Sequence, residues 1–154
     1  MRRADRERDA AFAMEVLRDC EYATLATINS DGTPYCVPLS IAVAENTIYF
    51  HCAHEGKKFD NIKNNENVCI NGVRYTKLVP ENFTTEYESA TATGKCRIIS
   101  DKDEKIAALK AICEKYANSN MINFDNQIEK FMNHTCICKI IIENITGKAN
   151  TSNK

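Results

Sequence analysis

The chain has 154 residues, 44% hydrophobic and 27% charged, a size and balance that fit one globular domain and exclude wholesale disorder or a fibrous repeat. With 20 Lys and Arg against 21 Asp and Glu the formal charge is -1, so no global field draws the protein to nucleic acid or an anionic membrane, and any anion site must be local. Its apolar runs, such as Ile140 to Ile142, fall far short of the roughly 20 residues that a membrane helix needs.

The N-terminus, Met1-Arg2-Arg3-Ala4-Asp5-Arg6-Glu7-Arg8-Asp9, alternates charge sign and lacks the apolar stretch of a secretory signal, so a cytoplasmic protein is expected. Its arginines read as a solvated helix entry, or alternatively as an arm that reaches a partner subunit. Residues 9 to 20 put Phe12, Val16 and Leu17 on one stripe beside helix-favouring alanines, which predicts an amphipathic helix. Tyr22 to Asn29 reads as a strand that ends at the turn signal Ser30-Asp31-Gly32-Thr33-Pro34, and a second run follows, as in a hairpin. In that run Tyr35, Val37, Leu39, Ile41 and Val43 carry bulk at alternate positions, while Cys36, Pro38, Ser40, Ala42 and Ala44 are small.

A third strand is predicted over Thr47 to Ala53, a short helix over Gly56 to Asn64 with Phe59 and Ile62 inward, and a fourth strand over Val68 to Val73. After a connection containing Pro80, Phe83 to Ile99 reads as one long β segment with a bulge or bend at Gly94. Ser100 and Asp101 cap the next helix, whose stripe is Ile106, Leu109, Ile112, Cys113 and Tyr116. A shorter helix around Phe124, Ile128 and Phe131 precedes a last strand, Thr135 to Thr146, and residues 149–154 form a polar tail after a single domain over 1–148. Hairpins dominate, so the fold expected is mainly β with flanking helices: about six antiparallel strands closing a small barrel. The eight cysteines are scattered inside apolar segments and read mainly as reduced, small core residues.

Two segments carry chemistry. At His51-Cys52-Ala53-His54-Glu55-Gly56-Lys57-Lys58 a strand runs through a glycine into a helix start, where unpaired N–H groups and the helix dipole attract anions and disfavour cations. Two lysines there either hold a phosphate between them and the N–H groups, or are simply solvated, with their stems covering Phe59. The second segment centres on Pro38, which cannot donate to a sheet ladder. The ladder opens or ends there, and the backbone around Val37, Leu39 and Ser40 is then free for a planar heterocycle, unless Pro38 merely marks an edge strand.

With Tyr22-Ala23-Thr24-Leu25-Ala26-Thr27, Asp31-Gly32-Thr33-Pro34-Tyr35-Cys36-Val37-Pro38-Leu39, Tyr49-Phe50-His51-Cys52-Ala53, Tyr87-Glu88-Ser89 and Gly94-Lys95 in this order, and with Met1-Arg2-Arg3 and Ile145-Thr146-Gly147-Lys148 at the ends, the chain resembles the flavin-binding split barrels related to pyridoxamine 5'-phosphate oxidase. The closer likeness is to the nitroimidazole-resistance branch. The resemblance implies a six-stranded antiparallel split β-barrel that forms a homodimer with FMN at the subunit interface. It implies that Lys57 and Lys58 bind the FMN phosphate, that Val37, Pro38, Leu39 and Ser40 line the isoalloxazine, that His51 and Cys52 lie beside the flavin or its ribityl chain, and that Ser89 adds a polar contact. The C-terminal arginine and histidine with which true pyridoxamine phosphate oxidases grip their substrate are absent: the end reads Ile145-Thr146-Gly147-Lys148-Ala149-Asn150. That departure points away from vitamin B6 oxidation and toward reduction of a small acceptor, as in nitroimidazole reductases, with NAD(P)H as a possible electron source. If a side chain assists, it is His51, whose neutral imidazole can donate a hydrogen bond or a proton near pH 7; its other reading is a residue that hydrogen-bonds its neighbours in the barrel.

Two rivals come from other classes. A flavin- or heme-binding storage or sensor protein would share the barrel without catalysis. A metal site could draw on His51, Cys52 and His54 together with His134, Cys136 and Cys138, which alternate onto one strand face; the missing Cys-x-x-Cys pair favours packing instead, and no metal is assigned.

Overall fold

The computed structural model describes residues 3–151. In chain order they form β1 (Glu7–Arg8), α1 (Ala10–Asp19), β2 (Ala23–Ile28), β3 (Pro34–Leu39), β4 (Ala42–Ala44), β5 (Thr47–Cys52), α2 (Lys57–Asn64), β6 (Asn67–Val79), β7 (Thr84–Ile98), α3 (Lys102–Tyr116), α4 (Phe124–Phe131) and β8 (Cys136–Asn150). The strands make one sheet in the order β3-β2-β6-β7-β8-β5-β4, with the two-residue β1 added to β8, and every pairing is antiparallel.

The consecutive strands β3 and β4 stand at opposite ends of that order, yet only Ser40 and Ile41 join them. The Cα atoms of Leu39 and Ala42 are therefore at most about 11 Å apart. The sheet must curl until its edges nearly meet, and because β3 and β4 are not hydrogen-bonded to each other the barrel stays split. Ile41 sits in the split, fully buried. Its N–H donates to the Tyr116 hydroxyl at 3.1 Å, and the same hydroxyl donates to the Ile41 carbonyl at 3.1 Å, so the last residue of α3 supplies what a neighbouring strand would have supplied.

The inner face holds the main core: Leu25, Ile48, Phe50, Ile70 and Ile140 from the strands with Val16 and Leu17 from α1, all fully buried. The helix can lie close because a row of small residues crosses the sheet beneath it, Ala23, Gly72, Ala90 and Gly147 standing in register. A Cβ at Gly147 would meet Phe12 Cδ1 at 2.9 Å, and one at Gly72 would meet Cys20 Sγ at 2.9 Å. Asp9 caps α1 by accepting from the Phe12 N–H at 2.8 Å, and Asp101 caps α3 by accepting from the Glu104 N–H at 2.8 Å. A smaller cluster on the outer face, Ile99, Ala108 and Ile137, seats α3, which the Lys139–Glu104 ion pair at 2.7 Å ties to β8.

The expected architecture, mainly antiparallel β with flanking helices, is the one observed. Among the described residues the sheet has eight strands, where six were expected. The run from Tyr35 to Ala44, read as one strand because its bulk alternates, is broken at Ser40-Ile41 where the chain passes from one sheet edge to the other. Glu7-Arg8, read as a helix entry, instead pairs with Lys148 and Gly147. The bulge at Gly94 is present as a register shift against β8. β6 continues past Val73 to Val79 through a second irregularity, so most of the expected connection is strand. β8 likewise runs past Thr146 to Asn150: Ala149 is buried and Asn150 Nδ2 donates to the Thr85 carbonyl at 2.7 Å, whereas a loose tail was expected from there. Met1 and Arg2 and the tail residues 152–154 lie outside the described residues. No helix among the described residues is long and apolar enough to cross a membrane.

Candidate functional site

Gly56 is the N-cap of α2, with φ at +107°, a conformation that L side chains rarely adopt. It follows the short link Ala53 to Glu55 after β5, and because glycine has no side chain the first N–H groups of α2 carry no side-chain cap. Lys57 and Lys58 are the first two helical residues. The Lys57 ammonium lies 5.3 Å from the centroid of the Tyr35 ring on β3, and the Lys58 ammonium 5.7 Å from that of Phe50 on β5. Both amines thus extend toward neighbouring strands, and among the described residues neither joins an ion pair. The ammonium over Phe59 is that of Lys63, at 5.4 Å, while Lys57 is exposed and Lys58 half-buried. Asn61 anchors the helix to β2: its amide donates to Thr27 Oγ1 at 3.0 Å and to Asn29 Oδ1 at 2.9 Å. Beside Lys57, the Asp31 carboxyl is held below the usual carboxylate range, chiefly by hydrogen bonds from the Thr33 hydroxyl and N–H, with the Lys57 charge adding to them.

β3 is an edge strand paired only with β2, where a proline is tolerated. The ladder ends one residue after Pro38, at Leu39 opposite Ala23, close to where the sequence places the opening. Val37 and Leu39 are half-buried toward the core. Cys36 and Pro38 face outward and are exposed, in register with Ala26 and Thr24 and, across β2, with Cys69 and Asn71. Ser40 is half-buried at the mouth of the split. The result is a shallow outer face of small side chains beside the two lysines. A groove of about 410 Å³ lies farther along the same strands, lined by Ala26, Pro34, Cys69 and Thr93 among others, and its lining includes neither lysine nor any residue from Val37 to Ser40.

His51 and Cys52 do not share a side of the sheet. Cys52 stands opposite Cys136 on the inner face, while His51 stands opposite Ile137 and is exposed. The His51 pKa is lowered, first by desolvation and second by the Lys58 charge, which favours the neutral imidazole. Ser89 is not brought to these residues. Its hydroxyl donates to the Lys148 carbonyl at 3.4 Å, and its register partner on β8 is Lys148, whereas that of Cys52 is Cys136. The strand path between those two β8 residues is about 40 Å.

Sequence reasoning passed over Tyr35, which the Lys57 ammonium meets, and Tyr116, which the helix stripe classed with the core. Asn61, one of few buried polar residues, stands one residue before the inward Ile62; a polar side chain beside the buried position of a short helix was the signal available for it.

A family profile described as pyridoxamine 5'-phosphate oxidase matches residues 9–149. The chain belongs to that family. Among solved structures it is similar to a candidate 5-nitroimidazole antibiotic resistance protein of Bacteroides thetaiotaomicron VPI-5482, with 26% identity over 92% of this chain and 84% of that one and a TM-score of 0.76. A FAD-binding protein of Mesorhizobium loti shares the fold at 18% identity, over 95% of this chain and 98% of that one, with a TM-score of 0.71. So does a FAD- and heme-binding protein of Mycobacterium smegmatis, at 17% identity over 94% and 72% with a TM-score of 0.80. No curated protein matches the chain.

Proposed function

We propose that this member of the pyridoxamine 5'-phosphate oxidase family is an FMN-dependent oxidoreductase that reduces a small acceptor, as a nitroimidazole reductase does, at a site shared by two copies of the chain. The observation that carries the reading is the start of α2: two ammonium groups that join no ion pair among the described residues, N–H groups with no side-chain cap and a side-chain-free turn at Gly56, all beside the edge strand β3. A phosphate dianion fits that donor set. Lys57 and Lys58 hold the phosphate, and Val37, Pro38, Leu39 and Ser40 lie along the isoalloxazine. The flavin supplies the redox chemistry when bound. Neutral His51 offers a hydrogen bond to the acceptor through its ring N–H. The Cys52 thiol faces the core and contributes no side-chain contact. The likeness to the Bacteroides protein supports the acceptor class.

The experiment is an absorption spectrum of the purified protein with mass identification of the released ligand, followed by reduction with NAD(P)H and reoxidation by a 5-nitroimidazole. Yellow protein that bleaches and recovers supports the reductase. Replacing Lys57 and Lys58 together with alanine removes two charge-assisted contacts worth about 1.5–3 kcal/mol each, so FMN affinity is expected to fall about a hundredfold to ten-thousandfold while the protein stays folded. Unchanged FMN occupancy in that variant would overturn the phosphate assignment. The second reading, a flavin or heme storage or sensor protein, draws on the fold shared with the FAD- and heme-binding protein of Mycobacterium smegmatis; a Soret band, or yellow that no donor bleaches, would favour it.

A further inference from the structure

Three thiols that the flavin reading leaves unused meet inside the barrel. Cys52 on β5 stands opposite Cys136 on β8, and Cys138 follows two residues along the same strand face. Their Sγ atoms all lie within 4.8 Å of one another, with Cys136 and Cys138 buried and Cys52 half-buried. All three pack in or against the main core as small residues, and in addition their thiols face one another. Bound to one cation at metal–sulfur distances of about 2.3 Å, three sulfurs lie about 3.8–4.0 Å apart. The cluster therefore needs to contract by no more than about 1 Å, within reach of small side-chain rotations. Charge also fits. Three thiolates around a divalent cation carry a net charge of -1, and the Lys58 ammonium, whose field already favours the Cys52 thiolate, opposes it. The half-buried Cys52, at the end of β5 beside the exposed residues Ala53 and His54, gives an entry path.

We propose that Cys52, Cys136 and Cys138 bind one thiophilic divalent cation, zinc being the ordinary one, as three thiolates that clamp β5 to β8. Each metal–sulfur bond forms as one S–H proton leaves to solvent, three in all, with no change of oxidation state. The apo thiols resist that deprotonation. Burial, followed by the neighbouring thiols, pushes Cys136 up to about 11. Cys52 is raised chiefly by its hydrogen bond with Cys138. In Cys138 the hydrogen bond with Cys52 favours the thiolate, but hydrogen bonding with Cys96 and burial outweigh it. Because each bond to the cation displaces an S–H proton, affinity rises with pH.

The test uses the full chain, reduced and stripped with a chelator, then titrated with Zn²⁺ against a chromophoric competitor, with Cd²⁺ in parallel to read thiolate-to-metal charge transfer. One equivalent bound with release of about three protons is expected. Cys52→Ser and Cys136→Ser should each weaken binding at least about a hundredfold, and Cys36→Ser and Cys69→Ser should leave it unchanged. Cys136→Ser buries a hydroxyl and risks the fold; Cys52→Ser, at a half-buried position, keeps the test decisive, and its far-UV spectrum verifies folding. The proposal is overturned if the wild type takes up neither cation, if Cys52→Ser binds as the wild type does, if Cys36→Ser abolishes binding, or if air oxidation links Cys52 to Cys136 and the reduced form still takes up no metal.

Discussion

Tyr116→Phe isolates the hydroxyl that closes the split between β3 and β4. The ring and its packing stay, and only the oxygen that accepts from the Ile41 N–H and donates to the Ile41 carbonyl, each at 3.1 Å, is lost. Ile41 is fully buried, but Tyr116 is 39% exposed, so water can reach part of the vacated position. An unsatisfied buried backbone group costs about 1–3 kcal/mol. Two such groups with partial water rescue place the loss at about 1–3 kcal/mol in total. For a domain of this size that lowers Tm by about 2–12 °C. Urea unfolding followed by far-UV circular dichroism reads it as a lower midpoint at unchanged slope. If the tyrosine bridges the sheet edges as argued, Tyr116→Leu, which also removes the ring, must be worse. A Tyr116→Phe midpoint within about 0.5 kcal/mol of wild type would show that the Ile41 groups are satisfied some other way, and the explanation of how the barrel stays split would fail.

Two further outcomes follow from the same geometry. Gly147→Ala places a Cβ 2.9 Å from Phe12 Cδ1 and 3.2 Å from Ala13 Cβ, so α1 must lift from the sheet; a loss of about 1–3 kcal/mol is expected in chemical denaturation, and a neutral result would mean that α1 sits less tightly than the row of small residues indicates. His51 is neutral in the folded chain because its pKa is lowered from the ordinary 6.5. The unfolded chain therefore binds more protons below that value, and stability contributed by His51 is present above pH 6.5 and lost as pH falls through the window beneath it. Urea midpoints measured from pH 7.5 down to pH 5 should fall, and His51→Gln should flatten that part of the curve.

What the sequence made legible were features stored locally. The alternation Ala23, Leu25, Thr27 and the turn at Asp31-Gly32 specify a hairpin without reference to anything distant, and Asp101 announces α3 because its cap bond closes within three residues. The start of α2 was legible for the same reason, since glycine followed by two lysines at a strand-to-helix turn is a local electrostatic anomaly. The split was not. Tyr35 to Ala44 alternates as one strand would, and the break at Ser40-Ile41 is imposed by the topology, which sends β3 and β4 to opposite sheet edges and places Tyr116, 75 residues away, between them. The cysteines show the same limit: Cys136 and Cys138 declare a shared face, but only the β5–β8 register selects Cys52 as their third partner and leaves His51 and His134 out.

Register also bears on how the proposed flavin site is completed. Lys57, Lys58 and β3 lie together, whereas Ser89 pairs with Lys148, at the end of β8 opposite to the one that pairs with Cys52. A second copy can supply Ser89. The hairpin that carries Ser89 exposes Leu78 and Phe83, 75% and 100% accessible, and Val73 and Tyr75 besides, an apolar surface that is unfavourable in water and that pairing would cover. The shallow face formed by Cys36, Pro38, Thr24 and Asn71 offers the close approach that a second backbone needs. On this reasoning flavin occupancy and subunit association are linked: diluting the protein until it dissociates should release the flavin. Stoichiometric flavin on a monomer would remove Ser89 from the site while leaving Lys57 and Lys58 in it.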